Sequence, residues 1–316
     1  MKPVNTLFGI TDSCVYLPVN RTPVGLVMHR LGEQGAAMRI SEEEYGSGGF
    51  REVPEENVCS LEEMIYEASA PVLRRAAERG AQVKAILFAS VTTDAAAGSL
   101  FARLLREFSL EDVPVVRLAE YGCAMFHLSL RLAYAYFAGA AGEDDAVLFV
   151  TADKARSARE RSDTYMLFGD AASAASFRNS PAVRHRVLAS GMKADGIAYD
   201  LCPERVRLYF STFYLSVRQL VRQVLRQAGA SMNDIAMIFC TNLGLGTWSI
   251  LAKILGCPLE LFYADTLAGE GHLHNTDIVM NIEKAAVSGR LRKGDLYLAV
   301  SVGFGGYYGC SLHQYG

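Results

Sequence analysis

Apolar runs and amphipathic stretches alternate along this chain. The segment KAILFAS (84–90) is continuously apolar, as a strand covered on both faces is. VPVVRLA (113–119) and AVLFVTA (146–152) read the same way. Between those two lies the apolar helix CAMFHLSLRLAYAYFAG (123–139), and strand, helix, strand in that order predicts a parallel sheet. Upstream, SLEEMIYEASAPVLRRAAERG (60–80) has a capping box of Ser60 and Glu63, a stop at Gly80 and a kink expected at Pro71. The second half repeats the grammar. A long amphipathic helix (206–229) ends at Gly229 and carries Arg218, Arg222 and Arg226 on a solvated face. It is followed by a strand (235–240), a helix (246–256) and a second helix (275–289). Two closing strands, 295–302 and 307–313, are joined by Gly303-Phe304-Gly305-Gly306, which reads as a hairpin with a close backbone approach. The polar, Pro-containing stretch near 178–200 marks the switch between halves, giving units 1–178 and 179–316.

Composition narrows the class. The chain has 316 residues, 51% hydrophobic and 21% charged, which is a globular composition with ample length for a core. A net charge of −3 gives no basic excess and argues against a nucleic-acid partner. The first residues lack the apolar core of a secretory leader, and the longest apolar stretch (123–142) is interrupted by His127 and Arg131. Neither a membrane span nor a membrane partner is expected. Seven cysteines lie scattered with no C-x-x-C pair, so a reducing, cytoplasmic setting fits better than a disulfide framework or a zinc site.

Three places could carry chemistry. Cys123 follows a strand and opens the long apolar helix, where unpaired N–H groups and the helix dipole favour a thiolate. Gly122 before it permits a sharp turn. The same position would also suit a small buried side chain. His272 and His274 sit in a short loop, with Asp277 in the first turn of the next helix. A loop His with a carboxylate a few residues on can form an oriented base, and Asp277 would equally complement the helix dipole. His-x-His-x-x-Asp lacks the further ligands of a metal centre, and no metal is expected. The backbone N–H groups of the 303–306 hinge could stabilise an oxyanion. LFGDAASAASF (167–177) reads as a tight turn and a closely packed strand, a structural element.

In this order the segments resemble the thiolase superfamily, most closely its β-ketoacyl synthase III branch. AEYGCAMFHLSLRLAYAYF resembles the family's nucleophile segment. LFGDAASAASF resembles its F-G-D-G-A-G-A run, with Ala171 and Ser173 replacing glycines. Gly271 to Gly309 follows its C-terminal end, including SGRLRKGD and VGFGGYYG. The resemblance implies an α/β fold of two pseudo-symmetric βαβαβαββ halves in five layers, α-β-α-β-α, usually as a homodimer. Departures matter as much. Condensing members use a Cys-His-Asn triad, with the His in P-H-Q-A-N. Here that strand ends IFCTNLGLG, with Thr241 or Asn242 at the His position. The family's Asn heads G-N-T-S-A-A-S. Here the stretch reads GHLHNTD, which sets His272 at the Asn position and Asp277 five residues on.

This pattern is similar to the atypical synthase III-like acyltransferases. The resemblance implies Cys123 as nucleophile, His272 as base and Asp277 as its partner. It implies an oxyanion hole from the N–H groups of Cys123 and Phe304. His274, Asn275, Thr241 and Asn242 are candidate supporting residues. It implies acyl-CoA or acyl carrier protein as donor and no permanently bound cofactor. Arg51 in GGFREV resembles the entrance loop, and Arg156 and Arg161 in the basic run at 152–163 are candidate contacts to the donor's phosphate. Lys253 and Trp248 could line a carrier-protein surface. A compact 192–212 region would leave the site open to a bulky acceptor. Three functions stand: acyl transfer through an acyl-Cys123 thioester in a natural-product or specialised fatty-acid pathway; a condensing enzyme that forms a carbon–carbon bond; and a non-catalytic partner subunit of a heterodimeric synthase.

Overall fold

The structure, a computed structural model, describes residues 7–34, 41–93, 95–139, 141–163, 166–196 and 202–316. Nine strands make up the main sheet. They are β1 (Phe8–Tyr16), β2 (Gln82–Ala89), β3 (Val115–Leu118), β4 (Asp145–Asp153), β5 (Ala171–Asn179), β6 (His185–Ala194), β7 (Ile235–Cys240), β8 (Leu296–Gly303) and β9 (Tyr307–Tyr315). Six helices cover or separate them: α1 (Leu61–Glu78), α2 (Ala97–Glu107), α3 (Met125–Phe137), α4 (Pro203–Ala228), α5 (Leu245–Leu255) and α6 (Thr276–Val287).

The strand order is β7-β8-β9-β6-β1-β5-β4-β2-β3. Its first-half portion, β3-β2-β4-β5-β1, repeats in the second half once one bridge is added. Phe262 pairs in parallel with Ile238 of β7, at the place that β3 holds beside β2. In both halves the inner pair is parallel, β2 with β4 and β7 with β8, and the following pair is antiparallel. The halves join through a short pairing, Gly9 opposite Arg186 and Ile10 opposite His185. A side chain at Gly9 would start 2.2 Å from the His185 carbonyl oxygen, so glycine is required for the two strands to meet.

Five layers follow from where the apolar faces go. Met64, Ile65 and Val72 of α1 pack with Phe101 of α2 on Ile86, Phe88 and Leu148 of the first half-sheet. Val217, Leu220 and Val224 of α4 pack with Leu251 of α5 on Ile238, Leu298 and Leu312 of the second. Between the half-sheets, Met125, Phe126 and Leu130 of α3 share one core with Ile278, Val279 and Ile282 of α6, Phe149, Phe177 and Phe239. The pseudo-symmetric helices α3 and α6 therefore occupy the middle layer and bring their N-terminal ends together.

The capping box of Ser60 and Glu63 forms, and α1 runs through Pro71 as one element. The stretch near 178–200, read as the switch between halves, holds regular structure. It contains β6, whose polar start is stabilised by pairing: buried His185 accepts or donates with Tyr297 Oη at 2.9 Å. The compact 192–212 region includes residues 197–201, which lie outside the described residues. Among the described residues no helix is long and apolar enough to cross a membrane.

Candidate active site

The approach to Cys123 is a tight turn. Glu120 and Gly122 both take left-handed φ values, 71° and 50°, and Gly122–Ala124 forms a single 3-10 turn that feeds α3. The 303–306 hinge packs onto this turn. A side chain on Gly303 would start 2.2 Å from the Tyr121 carbonyl oxygen, and one on Gly122 would start 3.4 Å from the Phe304 nitrogen. The Phe304 N–H thus lies beside the nucleophile turn, while its ring is half exposed against Tyr209.

The opposing loop is pinned from two sides. His272 N–H donates to the Leu167 carbonyl and its own carbonyl accepts from Gly169 N–H, so the LFGD segment holds it. Asn275, which precedes α6, donates from Nδ2 to the Gly122 carbonyl at 3.1 Å and accepts at Oδ1 from Met125 N–H at 3.0 Å. These two bonds stitch the start of α6 to the start of α3. Asn275 is the N-cap and Thr276 the first residue of α6.

The result is a chain of contacts. Cys123 Sγ lies 3.2 Å from His272 Nε2, and His272 Nδ1 lies 2.5 Å from Asp277 Oδ2. Asp277 is fully buried and also accepts from Asn242 N–H and Leu273 N–H, each at 2.8 Å. His274 Nδ1 lies 3.7 Å from the same sulfur, and its ring stacks on Phe168 at 4.8 Å and 6°. Burial, the largest single influence, would push the His272 imidazole down; the Asp277 carboxylate and the Cys123 sulfur together outweigh it and raise it from 6.5 to about 10. Burial would likewise raise the Cys123 thiol, but His272 and then His274 bring it from 9.0 down to about 7. The two histidines favour the thiolate. Burial pushes Cys240 to about 12 and also raises Cys14, Cys257 and Cys310.

The supporting residues separate. Asn242 turns away from the sulfur: its Nδ2 donates to the Gly271 carbonyl at 2.6 Å, and its Oδ1 accepts from Asn281 at 3.1 Å. Thr241 is buried, its carbonyl accepting from Trp248 Nε1 at 3.3 Å. Neither replaces the family's strand-end His at the sulfur. Trp248 is completely buried and so lines no carrier-protein surface. Arg161 is a further correction. It is 4% exposed and forks onto Asp170 at 3.0 and 2.7 Å, neutralising that buried carboxylate rather than meeting a phosphate. Arg156 is exposed and pairs with Glu160 at 2.8 Å, and Arg51 is exposed. Sequence reading missed Phe168, whose only signal was its place before the Gly-Asp turn.

Cys123 Sγ and one nitrogen from each of His272 and His274 lie within 4.8 Å of one another, a spacing a soft metal ion could span. The same three side chains form the hydrogen-bond contacts of an acid–base group.

Comparison with known proteins gives the family. Residues 119–196 match the model of 3-oxoacyl-[acyl-carrier-protein] synthase III, and residues 225–315 match the model of its C-terminal part. The chain belongs to the synthase III-like branch of the thiolase superfamily. This is a family of condensing and acyl-transferring enzymes. The β-ketoacyl-[acyl-carrier-protein] synthase III of Aquifex aeolicus (strain VF5) is 23% identical over 276 residues, covering 83% of this chain and 88% of that protein. The crystal structure of the 3-oxoacyl-[acyl-carrier-protein] synthase III from Aquifex aeolicus VF5 superposes with a TM-score of 0.81 at 21% identity, covering 98% of this chain and all of that one. The acyltransferase ChlB3 superposes with a TM-score of 0.83 at 20% identity, covering 98% and 97% of the two chains.

Proposed function

We propose that this synthase III-like protein transfers an acyl group from acyl-CoA or acyl carrier protein, through an acyl-Cys123 thioester, to a hydroxyl, amine or thiol acceptor. The observation that carries the reading is the buried contact series Cys123, His272, Asp277. It is a nucleophile, a base and an orienting carboxylate, the arrangement that suits acyl transfer. Condensation after decarboxylation needs donors for a developing enolate, and the strand-end position that supplies one in the family holds Thr241 or Asn242, with the Asn242 side chain held by Gly271 and Asn281.

Protonation states follow the cycle. At rest the thiolate and the His272 imidazolium form an ion pair. Attack on the donor thioester consumes the thiolate charge, so one of the two charges that hold the proton on His272 disappears. The proton passes to the departing donor thiol. His272, still oriented by Asp277, is then neutral and accepts the proton of the incoming acceptor. The acceptor attacks the acyl carbonyl, the N–H groups of Cys123 and Phe304 receive the oxyanion, and sulfur leaves as thiolate to restore the ion pair.

The test is a malonyl donor. The acyltransferase reading expects acyl transfer to an added nucleophile with no carbon dioxide released. Stoichiometric carbon dioxide release with a β-keto product would overturn it in favour of condensation.

A further inference from the structure

Cys123 meets two histidines, and the triad uses one. His274 is built into the site with unusual care. It is a non-glycine residue at φ 54°, it is buried, and Phe168 fixes its ring plane by stacking at 6°. Its Nδ1 faces the sulfur at 3.7 Å. A second carboxylate acts on its charge. Asp153, at the end of β4, is 1% exposed, and its Oδ1 collects four donors: Ser90 Oγ at 3.0 Å, Val91 N–H at 2.6 Å, Thr92 N–H at 2.9 Å and Thr92 Oγ1 at 3.1 Å. Its Oδ2 is buried with no hydrogen-bond partner among the described residues. An unsatisfied buried carboxylate oxygen is costly and calls for a positive partner.

We propose that His274, backed by Asp153, is a second catalytic histidine that keeps a positive charge throughout the cycle and holds the Cys123 sulfur in its ionised form, at rest and as leaving group. The inference rests on reading Cys123 as the nucleophile. The charged groups around His274 are Cys123, His272 with Asp277 behind it, and Asp153. Burial would lower His274 and His272 opposes its charge, yet Asp153 and the sulfur leave it raised above 6.5. The two histidines then divide the work. His272 gives and takes the proton, and so must be neutral part of the time. His274 never has to be. When the acyl group leaves, sulfur departs toward a cation that is already in place. Asp153 acts through His274 and is a positioning residue.

The test measures the pH dependence of Cys123 alkylation by iodoacetamide, resolved by mass, in wild type, His274→Asn and Asp153→Asn. Asn tolerates the left-handed backbone at 274 better than other neutral residues. The midpoint is expected to rise by about one pH unit in His274→Asn and by less in Asp153→Asn, with the high-pH plateau rate unchanged. Disruption of the site would lower the plateau, so a shifted midpoint alone marks a lost charge. Discharge of a preformed acyl-enzyme is expected to slow about tenfold in His274→Asn. If His274→Asn fails to fold, Asp153→Asn carries the test. Wild-type midpoints in the folded variants would overturn the proposal. If the wild type forms no acyl adduct while the midpoints still shift, the transfer reading fails and the role of His274 stands.

Discussion

Replacing Asp277 by Asn isolates the charge that organises the site. Asn keeps the size of the side chain and removes its negative charge. The gap between 6.5 and about 10 for His272 corresponds to roughly 5 kcal/mol in favour of the imidazolium, at ~1.4 kcal/mol per pH unit. Asp277 supplies the largest share that opposes burial. Without it, burial is opposed only by the Cys123 sulfur, and His272 falls well below about 10. The thiolate then loses its main cation, and Cys123 moves from about 7 back toward 9.0. At about pH 7.5 the ionised fraction would drop from roughly three quarters to a few per cent, slowing alkylation on the order of 20-fold. Acyl transfer should fall further, by ~10²–10⁴, because His272 also loses its orientation as a base. The assay is the rate of Cys123 alkylation between about pH 5 and pH 10. An Asp277→Asn midpoint that coincides with wild type would refute the reasoning, because no other carboxylate contacts His272 among the described residues.

Three further outcomes are expected. Gly303→Ala would drive a methyl into the Tyr121 carbonyl and displace the Phe304 N–H, so acyl-adduct formation should slow by ~10² while alkylation of Cys123 changes little; equal losses in both would remove Phe304 from the oxyanion hole. Asn275→Ala loses both bonds that stitch α6 to α3, and should cost about 2–3 kcal/mol in chemical denaturation; a loss under about 0.5 kcal/mol would contradict that role. Stability should also fall in acid. His127, His185 and His313 are buried and held near 3 by burial, so they are neutral in the fold and ordinary imidazoles when unfolded. The unfolded chain binds more protons between about pH 6.5 and pH 3, so stability present above that window is lost as pH falls through it, about 2 kcal/mol per histidine by pH 5. His272, which is raised, adds no slope below pH 6.5. Fluorescence of Trp248, the single and fully buried tryptophan, reports the transition, and a native signal persisting below about pH 3.5 would contradict this sum.

Buried parallel strands were legible because continuous apolar runs leave few alternatives: 84–90, 146–152 and 235–240 became β2, β4 and β7. β6 was hidden because it begins with His185 and Arg186, and the burial of His185 depends on Tyr297, which is distant in sequence. Cys123 was a candidate because it opens a helix, and His272 and Asp277 because they sit just before and inside the first turn of another; the resemblance gave them their roles. Their convergence comes from the pseudo-symmetry that packs α3 against α6. Arg161 misled because a basic run gives no sign that one of its members neutralises Asp170 inside the protein. Asp153 was silent for the same reason: at the end of an apolar strand, only its neighbours in space reveal its surroundings.

The most direct measurement is intact-protein mass after incubation with a panel of acyl-CoA and acyl-carrier-protein donors, for wild type and Cys123→Ala. The account predicts a single acyl adduct on the wild type, discharged by an added nucleophile, and none on Cys123→Ala. An adduct that survives in Cys123→Ala, or no adduct from any donor, would contradict it.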